Sequence, residues 1–103
     1  MIRWSPAIPT RPSCPHRRLE RLLALQLDRD AVMGTSTLRP WASASFVGAR
    51  HIFPCSGGNL SIEALQARLA AAEWRLPGHI VADVAVEPGD DGGYSVEILT
   101  VED

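Results

Sequence analysis

The hydrophobic pattern of this chain changes character near Met33. Upstream, a proline- and arginine-rich head runs into leucines at helical spacing, which predicts a helix over about 16–31. Downstream, apolar positions alternate over short runs that one further helical pattern interrupts. We therefore expect a compact domain over 33–103, preceded by a partly disordered head over 1–32 that contains the first helix.

Prolines recur at every third position of the head, and each restricts the preceding residue to extended conformations. These residues are Pro6, Pro9, Pro12 and Pro15. The spacing is typical of a polyproline-like or disordered segment. The segment Met33-Gly34-Thr35-Ser36-Thr37 looks like the natural start of a bacterial protein, which suggests the hypothesis that 1–32 is an upstream extension.

The compact domain is expected to open with a strand over 41–53, in which Gly48 marks a bulge or a bend. Pro54 is expected to close this strand, because proline cannot donate to a sheet ladder. A helix over about 61–75 follows, capped by Asn59 or Ser61. Its apolar positions fall on one face and are predicted to pack on the sheet. They are Ile62, Leu65, Leu69, Ala72 and Leu76.

Two further strands are predicted after this helix. The strand over 79–87 alternates regularly, and a turn over 88–93 joins it to a last strand over 94–102. On the first of these strands, one side carries Ile80, Ala82, Val84 and Val86. On the second, Tyr94, Val96 and Ile98 face one way and Leu99 and Val101 face the other.

These elements predict an α+β fold. It is a β-α-β-β unit with a small, mainly antiparallel three-stranded sheet and one helix packed on one face. The arrangement resembles the first two-thirds of a ferredoxin-like fold over about 40–102, without its second helix and fourth strand. The resemblance is one of fold, and it implies no function.

A single helix leaves the second face of such a sheet bare. Either the head helix covers that face or two copies pack face to face, and we expect a homodimer or another protein partner. Trp74, on the far side of its helix, folds over a sheet edge, packs beneath the head helix or lies at a subunit contact. The predicted interface residues are Val81, Asp83, Ala85, Glu97, Leu99, Val101 and Trp74.

Composition narrows the class of protein. The chain has 103 residues, of which 46% are hydrophobic and 21% charged, as in an ordinary globular domain. Its apolar runs are far shorter than the roughly 20 residues that span a bilayer. Residues 1–50 hold eight arginines against three acids, and residues 51–103 hold two against nine. The acidic compact part argues against nucleic-acid binding.

The two cysteines, Cys14 and Cys55, lie in segments of different character and form no disulfide framework. The first residues lack the apolar stretch of a secretory signal. We therefore expect a reducing, cytoplasmic setting.

Candidate chemistry centres on Cys55, which precedes a glycine-rich turn and a helix N-terminus. Amide donors and the helix dipole there favour anions and lower a thiol pKa. His51 and His79 are candidate catalytic or metal-ligating partners of Cys55, and Cys14 and His16 add donors without a standard spacing. The candidate anion site comprises Gly57, Gly58, Asn59 and Ser61. We expect no cofactor.

The sequence thus favours a small non-enzymatic module that self-associates or binds another protein. The alternative is a small enzyme or an anion- or ligand-binding protein with its site at residues 55–61.

Overall fold

The computed structural model describes residues 14–103, which form two helices and one five-stranded sheet. The α+β class is therefore confirmed. The helices are α1 (His16–Gln26) and α2 (Ile62–Ala71). The strands are β1 (Ala31–Met33), β2 (Thr37–Ala42), β3 (Val47–Gly57), β4 (His79–Pro88) and β5 (Tyr94–Glu102). The predicted polyproline-like stretch lies outside the described residues except for Pro15.

The sheet is antiparallel throughout, in the order β1–β3–β5–β4, and β2 also pairs with β3. β3 is the central strand, since β5 lines one of its edges and β1 and β2 share the other. The prediction of three strands is wrong, because residues 31–42 supply two short strands instead of a connection. The ferredoxin-like unit is not confirmed.

The expected strand over 41–53 is in fact a corner between two strands. β2 ends at Ala42, and the amide of Phe46 donates to Ser43 Oγ at 3.1 Å in the turn that leads into β3. Pro54 does not close the strand but lies inside β3. Its carbonyl oxygen accepts from the Gly34 amide at 2.7 Å. Its nitrogen points to the same side, where β1 has ended and β2 has not begun, so the missing N–H falls at a break in the ladder.

Gly48 is required by a close approach and not by the expected bulge. A Cβ at this position would clash with the carbonyl oxygen of Thr100 and would lie 3.0 Å from the ring of Trp41. The glycine therefore lets the backbone of β5 and an aromatic side chain of β2 come together over β3.

Both helices pack on the same face of the sheet. Leu19 and Leu23 of α1 and Leu69 of α2 are fully buried against Phe53. The rest of the buried core comprises Cys55, Leu65, Leu76, Val86, Val96 and Ile98. The prediction that the α2 stripe faces the sheet is confirmed for Ile62, Leu65 and Leu69, whereas Ala72 and Leu76 lie beyond the end of the helix.

The alternative in which the head helix covers the second face is wrong. Four strands abreast at about 4.8 Å spacing are wider than one helix of roughly 10 Å diameter, so the apolar face has room for two helices.

Within residues 14–103, neither helix is long and apolar enough to cross a membrane.

Helix boundaries differ from the expected ones at their C-terminal ends. α1 ends at Gln26 because the chain turns back and enters the sheet at Ala31. Ser61 caps α2 as predicted, accepting from the Ala64 amide at 3.1 Å. α2 ends at Ala71, and Leu76 reaches the core from the extended segment that follows.

β4 contains an irregularity that changes which side chains face the helices. Val81 pairs with Thr100, whereas Asp83 pairs with Leu99, so Ala82 is an extra residue. Val81 therefore packs toward the helical side, and Ile80 lies on the other face. The prediction that Ile80 shares a side with Val84 and Val86 is therefore wrong, because alternation cannot reveal an inserted residue.

The leucines of α1 allow a direct test of its role in stability. We expect Leu23→Ala to lower the free energy of unfolding by about 2–5 kcal/mol, because it leaves a cavity against Phe53. Leu25→Ala, two residues along and 79% exposed, is the matched control and should change stability by less than about 0.5 kcal/mol. Urea unfolding followed by circular dichroism measures both. Equal effects would contradict the docking of α1.

The same result bears on the hypothesis of a start at Met33. A chain that begins there lacks α1, and its sheet would lose the cover that Leu19 and Leu23 provide. The hypothesis about the native start itself stays a prediction.

Candidate functional site

Four polar side chains form a continuous chain of hydrogen bonds beneath α1. Ser36 Oγ lies 2.8 Å from His16 Nε2, and His16 Nδ1 lies 2.9 Å from His51 Nδ1. His51 Nε2 lies 2.9 Å from Thr100 Oγ1, which also donates to the Ala49 carbonyl oxygen at 3.4 Å. We call Ser36, His16, His51 and Thr100 the histidine relay.

Each member of the histidine relay comes from a different part of the fold. His16 is the first residue of α1, His51 lies in β3 and Thr100 lies in β5. Ser36 ends the short segment between β1 and β2. Because β3 pairs with its neighbours along both edges, the backbones of these strands are held rigidly, and α1 brings His16 down onto them.

The hydroxyl of Thr100 sets the donor-to-acceptor direction of the hydrogen bonds in the relay. A neutral imidazole has one N–H and one lone pair, so the direction of one hydrogen bond sets all the others. With the Thr100 hydroxyl donating to Ala49, His51 Nε2 donates to Thr100 and His51 Nδ1 accepts from His16 Nδ1. His16 Nε2 is then the acceptor for the Ser36 hydroxyl.

Burial keeps the centre of the relay uncharged. His51 and Thr100 are completely buried, and the His16 ring stacks on His51 and on Phe53, each with ring centroids 5.1 Å apart. Burial, reinforced by His16 and His79, lowers the pKa of His51 to about 4. His51 is therefore neutral at pH 7, so one of its ring nitrogens keeps a lone pair that can accept a hydrogen bond.

Cys55, the main candidate nucleophile from the sequence, lies in the apolar core. Its Sγ is 3.4 Å from the carbonyl oxygen of Phe53. Burial raises the pKa of the Cys55 thiol to about 11. Reactive cysteines have depressed pKa values and partial exposure, so this environment disfavours a thiolate.

The structure does not gather Cys55, His51 and His79 into one site. Cys55 lies four residues from His51 along the same strand, or about 13 Å at strand spacing. His79 lies on β4 with Nδ1 3.3 Å from the Pro77 carbonyl oxygen. In the part of the chain that the structure describes, no group of three or more His, Cys, Asp or Glu side chains is arranged to hold a metal ion.

The glycine-rich turn already binds a carboxylate of the chain itself, that of Asp28. Gly57 and Gly58 have φ values of +76° and +91°, which turn the backbone beneath the end of α1. The amide of Asn59 then donates to Asp28 Oδ2 at 2.6 Å. With Ser61 occupied as the cap of α2, the candidate anion site makes its contacts internally.

The sheet face opposite the helices carries both apolar and charged side chains, and we call it the open face. Its apolar members are Trp41, Ile52, Ile80, Ala85, Leu99 and Val101, and its charged members are Arg39, Arg50, Asp83, Glu87 and Glu97. Arg50 Nε on β3 lies 3.0 Å from Glu97 Oε1 on the neighbouring strand β5. Of the predicted interface residues, Val81 and Trp74 are not on this face.

Trp74 follows the first of its three predicted alternatives, since it folds against the edge strand β4. Its Nε1 donates to the Leu69 carbonyl oxygen at 3.2 Å, and its half-buried ring lines a cavity with Val81 and Val84. This packing explains an aromatic residue on the far side of the α2 pattern.

Comparisons of the chain with protein-family models, with curated proteins and with solved structures give no match. The histidine relay and the open face are therefore the features of the molecule that bear on its function.

Sequence reasoning counted His16 only as one scattered donor and missed its contact with His51. A signal was present. His16 precedes Leu19 and Leu23 by three and seven positions, which places it on the buried stripe of α1. His51 precedes Phe53 by two positions, which places it on the same strand face. What the pattern cannot supply is where α1 crosses β3.

The depressed pKa of His51 predicts a pH-dependent stability. The unfolded chain binds this proton below about pH 6.5 and the folded chain only below about 4. The stability gained by keeping the ring neutral is therefore present above pH 6.5 and is lost as the pH falls toward 4. Between pH 7 and pH 5, we expect a loss of about 2 kcal/mol from this residue.

Urea unfolding at several pH values measures this slope. In His51→Gln, the amide replaces the imidazole without a titratable group, and the loss between pH 7 and pH 5 should shrink by that amount. His79→Gln removes only the smallest of the three causes of this lowered pKa and leaves the bond between His16 and His51 in place, so it should change the slope much less than His51→Gln does. An unchanged slope in His51→Gln would refute the assignment.

Proposed function

We propose that the protein is a self-associating module whose open face packs against the same face of a second copy. The observation that carries this proposal is the layout of charge on that face. Two arginines lie on the β2 and β3 side, and three acids lie on the β4 and β5 side. Arg50 and Glu97 pair near the centre, and apolar side chains occupy the rest of the centre and one end.

Cross-strand pairing arranges the open face in rows. One row runs Arg39, Arg50, Leu99, Asp83 from β2 to β4. The neighbouring row runs Trp41, Gly48, Val101, Ile80. Each row thus begins on the basic side of the sheet and ends on the acidic side.

A two-fold axis between two facing sheets has two simple orientations. An axis perpendicular to the strands places each strand over itself, so that acids lie over acids. An axis parallel to the strands reverses the strand order of the second copy, so that β2 lies over β4 and β3 over β5. The charge layout favours the second orientation, since like charges facing each other across an interface are destabilising.

In this arrangement each row of one copy lies over the same row of the second copy, with the order of the strands reversed. Arg39 faces the partner's Asp83, and Trp41 faces the partner's Ile80, which is 53% exposed in the single chain. Aligned sheets pack about 10 Å apart, a distance that Arg, Trp and Ile side chains fill together. Arg50 faces the partner's Leu99 and keeps its ion pair with Glu97 of its own chain. The ends of the two rows are therefore complementary across a two-fold axis.

The likeness to a ferredoxin-like fold belongs to the same proposal. β3 and β4 flank β5 and are joined through α2, which is a split β-α-β connection. Both helices lie on one face, and the other face is free to pair. This supports the likeness without identifying a family.

The alternative site at residues 55–61 receives less support. Cys55 is buried with a raised pKa, and the Asn59 amide is taken by Asp28. A reducing, cytoplasmic setting remains part of the proposal, and it is supported by a free Cys55 in the core and a free Cys14 at the surface.

Charge reversal tests the orientation of the proposed dimer. Arg39→Asp places two acids at each facing position, and Asp83→Arg places two bases there, so each variant should weaken self-association by about tenfold or more. Mixing the two variants restores opposite charges at both positions, and the mixture should associate as the unsubstituted protein does. Sedimentation velocity over a concentration series measures the dissociation constants.

Arg17→Asp is the matched control, because it makes the same charge change on an exposed position of α1. It should leave association unchanged. A purely monomeric unsubstituted protein at low ionic strength would overturn the proposed function. Association that neither variant weakens, or that mixing does not restore, would overturn the proposed orientation.

A further inference from the structure

The histidine relay ends at a serine hydroxyl whose residue is more exposed than the buried His51 and Thr100. Ser36 is half-buried, and its neighbours Gly34 and Thr35 are exposed. From the order of the atoms in the relay, we infer that Ser36 is a nucleophile activated by His16, acting on carboxylic esters with small acyl groups. This adds a chemical activity to the proposed module, independent of its open face.

The arrangement satisfies the geometric requirements of an activated serine. The nucleophile needs a base within about 2.6–3.2 Å, and the base needs a third group to orient it. Ser36 Oγ lies 2.8 Å from His16 Nε2, and His16 Nδ1 lies 2.9 Å from the third group, His51. The two nitrogens of one imidazole thus face the nucleophile and the orienting group, as the role of general base requires.

The direction of the hydrogen bonds supports the same assignment. With Thr100 donating to Ala49, every bond of the relay points away from Ser36. His16 therefore carries its proton on Nδ1 and presents the lone pair of Nε2 to the serine. His51 is a positioning residue, which fixes this tautomer through a bond to a buried, neutral ring.

The reaction balances with water as the second substrate. Ser36 Oγ attacks the acyl carbon while its proton moves to His16 Nε2. The bond to the leaving oxygen then breaks, the proton passes from His16 to that oxygen, and an acyl-serine remains. Water next attacks the acyl carbon and gives a proton to His16. Cleavage of the acyl–Oγ bond returns that proton to Ser36 and releases the carboxylic acid.

The surroundings favour a small acyl group. Ser36 is only half-exposed, so a bulky branched acyl group would meet the strands on either side. A cavity of about 350 Å³ lined by Pro15, Leu38 and Thr100 lies at the far, Thr100 end of the relay, and neither Ser36 nor His16 lines it.

Acetylation by p-nitrophenyl acetate tests the nucleophile in the full chain. We expect release of nitrophenolate with transient acetylation of Ser36, located by peptide mass spectrometry after acid quench. A fluorophosphonate probe should label the same residue and block the acetylation. Ser45, which is exposed and lies outside the relay, should stay unmodified and serves as the internal control.

Substitutions separate nucleophile from base. Ser36→Ala should abolish both modifications, and Ser45→Ala should leave them unchanged. His16→Gln should slow acetylation by about 100-fold or more, the usual contribution of a general base. Circular dichroism verifies that each variant is folded, and the competition with fluorophosphonate tests the site in the unsubstituted protein.

A third substitution tests the positioning role of His51. Leucine at this position cannot accept the His16 proton, so His51→Leu should slow acetylation by about tenfold. Glutamine can accept from His16 and donate to Thr100, so His51→Gln should recover most of the rate. A merely structural role of His51 gives no reason for this rescue.

Three results would overturn the inference. These are acetyl groups spread over several serines, an acetyl group on His16 instead of Ser36, and a rate that His16→Gln leaves unchanged. A ¹⁵N spectrum showing the proton of His16 on Nε2 at neutral pH would also overturn it, because the serine would then face a donor.

Discussion

The packing of two helices against one face of the sheet is the interaction on which the rest of this structure depends. Leu19 and Leu23 of α1 belong to the same buried cluster as Phe53 of β3. On the same face of the sheet, α2 packs over β4. Four strands abreast are too wide for one helix, so α1 completes the core. Because both helices lie on one face of the sheet, that face is buried and the open face remains exposed.

On a buried face, a polar side chain without a hydrogen-bond partner has a large free-energy cost. His51 has no exposed surface, and an unpaired imidazole there would cost about 1–3 kcal/mol. The histidine relay removes that cost by satisfying both ring nitrogens, one with His16 and one with Thr100. The same contacts order the tautomers from Thr100 to Ser36, so structural necessity and the proposed reactivity have one physical origin.

The open face is shaped by the opposite circumstance. Because no helix covers it, its strands carry arginines at one side, acids at the other and apolar side chains between them. The intramolecular pair of Arg50 and Glu97 holds the centre of this surface. The outer charges, Arg39 and Asp83, lie too far apart across the sheet to serve each other, and their positions suit a second copy.

Sequence patterns alone determined the α+β class, both helices and the strands β4 and β5. Strong periodicity does this, because a leucine stripe or an alternating run is a local property of the chain. The stripe of α2, the cap at Ser61 and the opposite orientations of Ile98 and Leu99 all followed from local spacing.

Tertiary structure decided everything that depends on distant segments meeting. Pro54 is tolerated inside β3 only because the neighbouring strands break opposite it, and Val81 turns inward only because β4 gains one residue against β5. The bond between His16 and His51 joins residues 35 positions apart. Spacing along a chain can place each histidine on a buried face, but only the angle at which α1 crosses the sheet brings their nitrogens together.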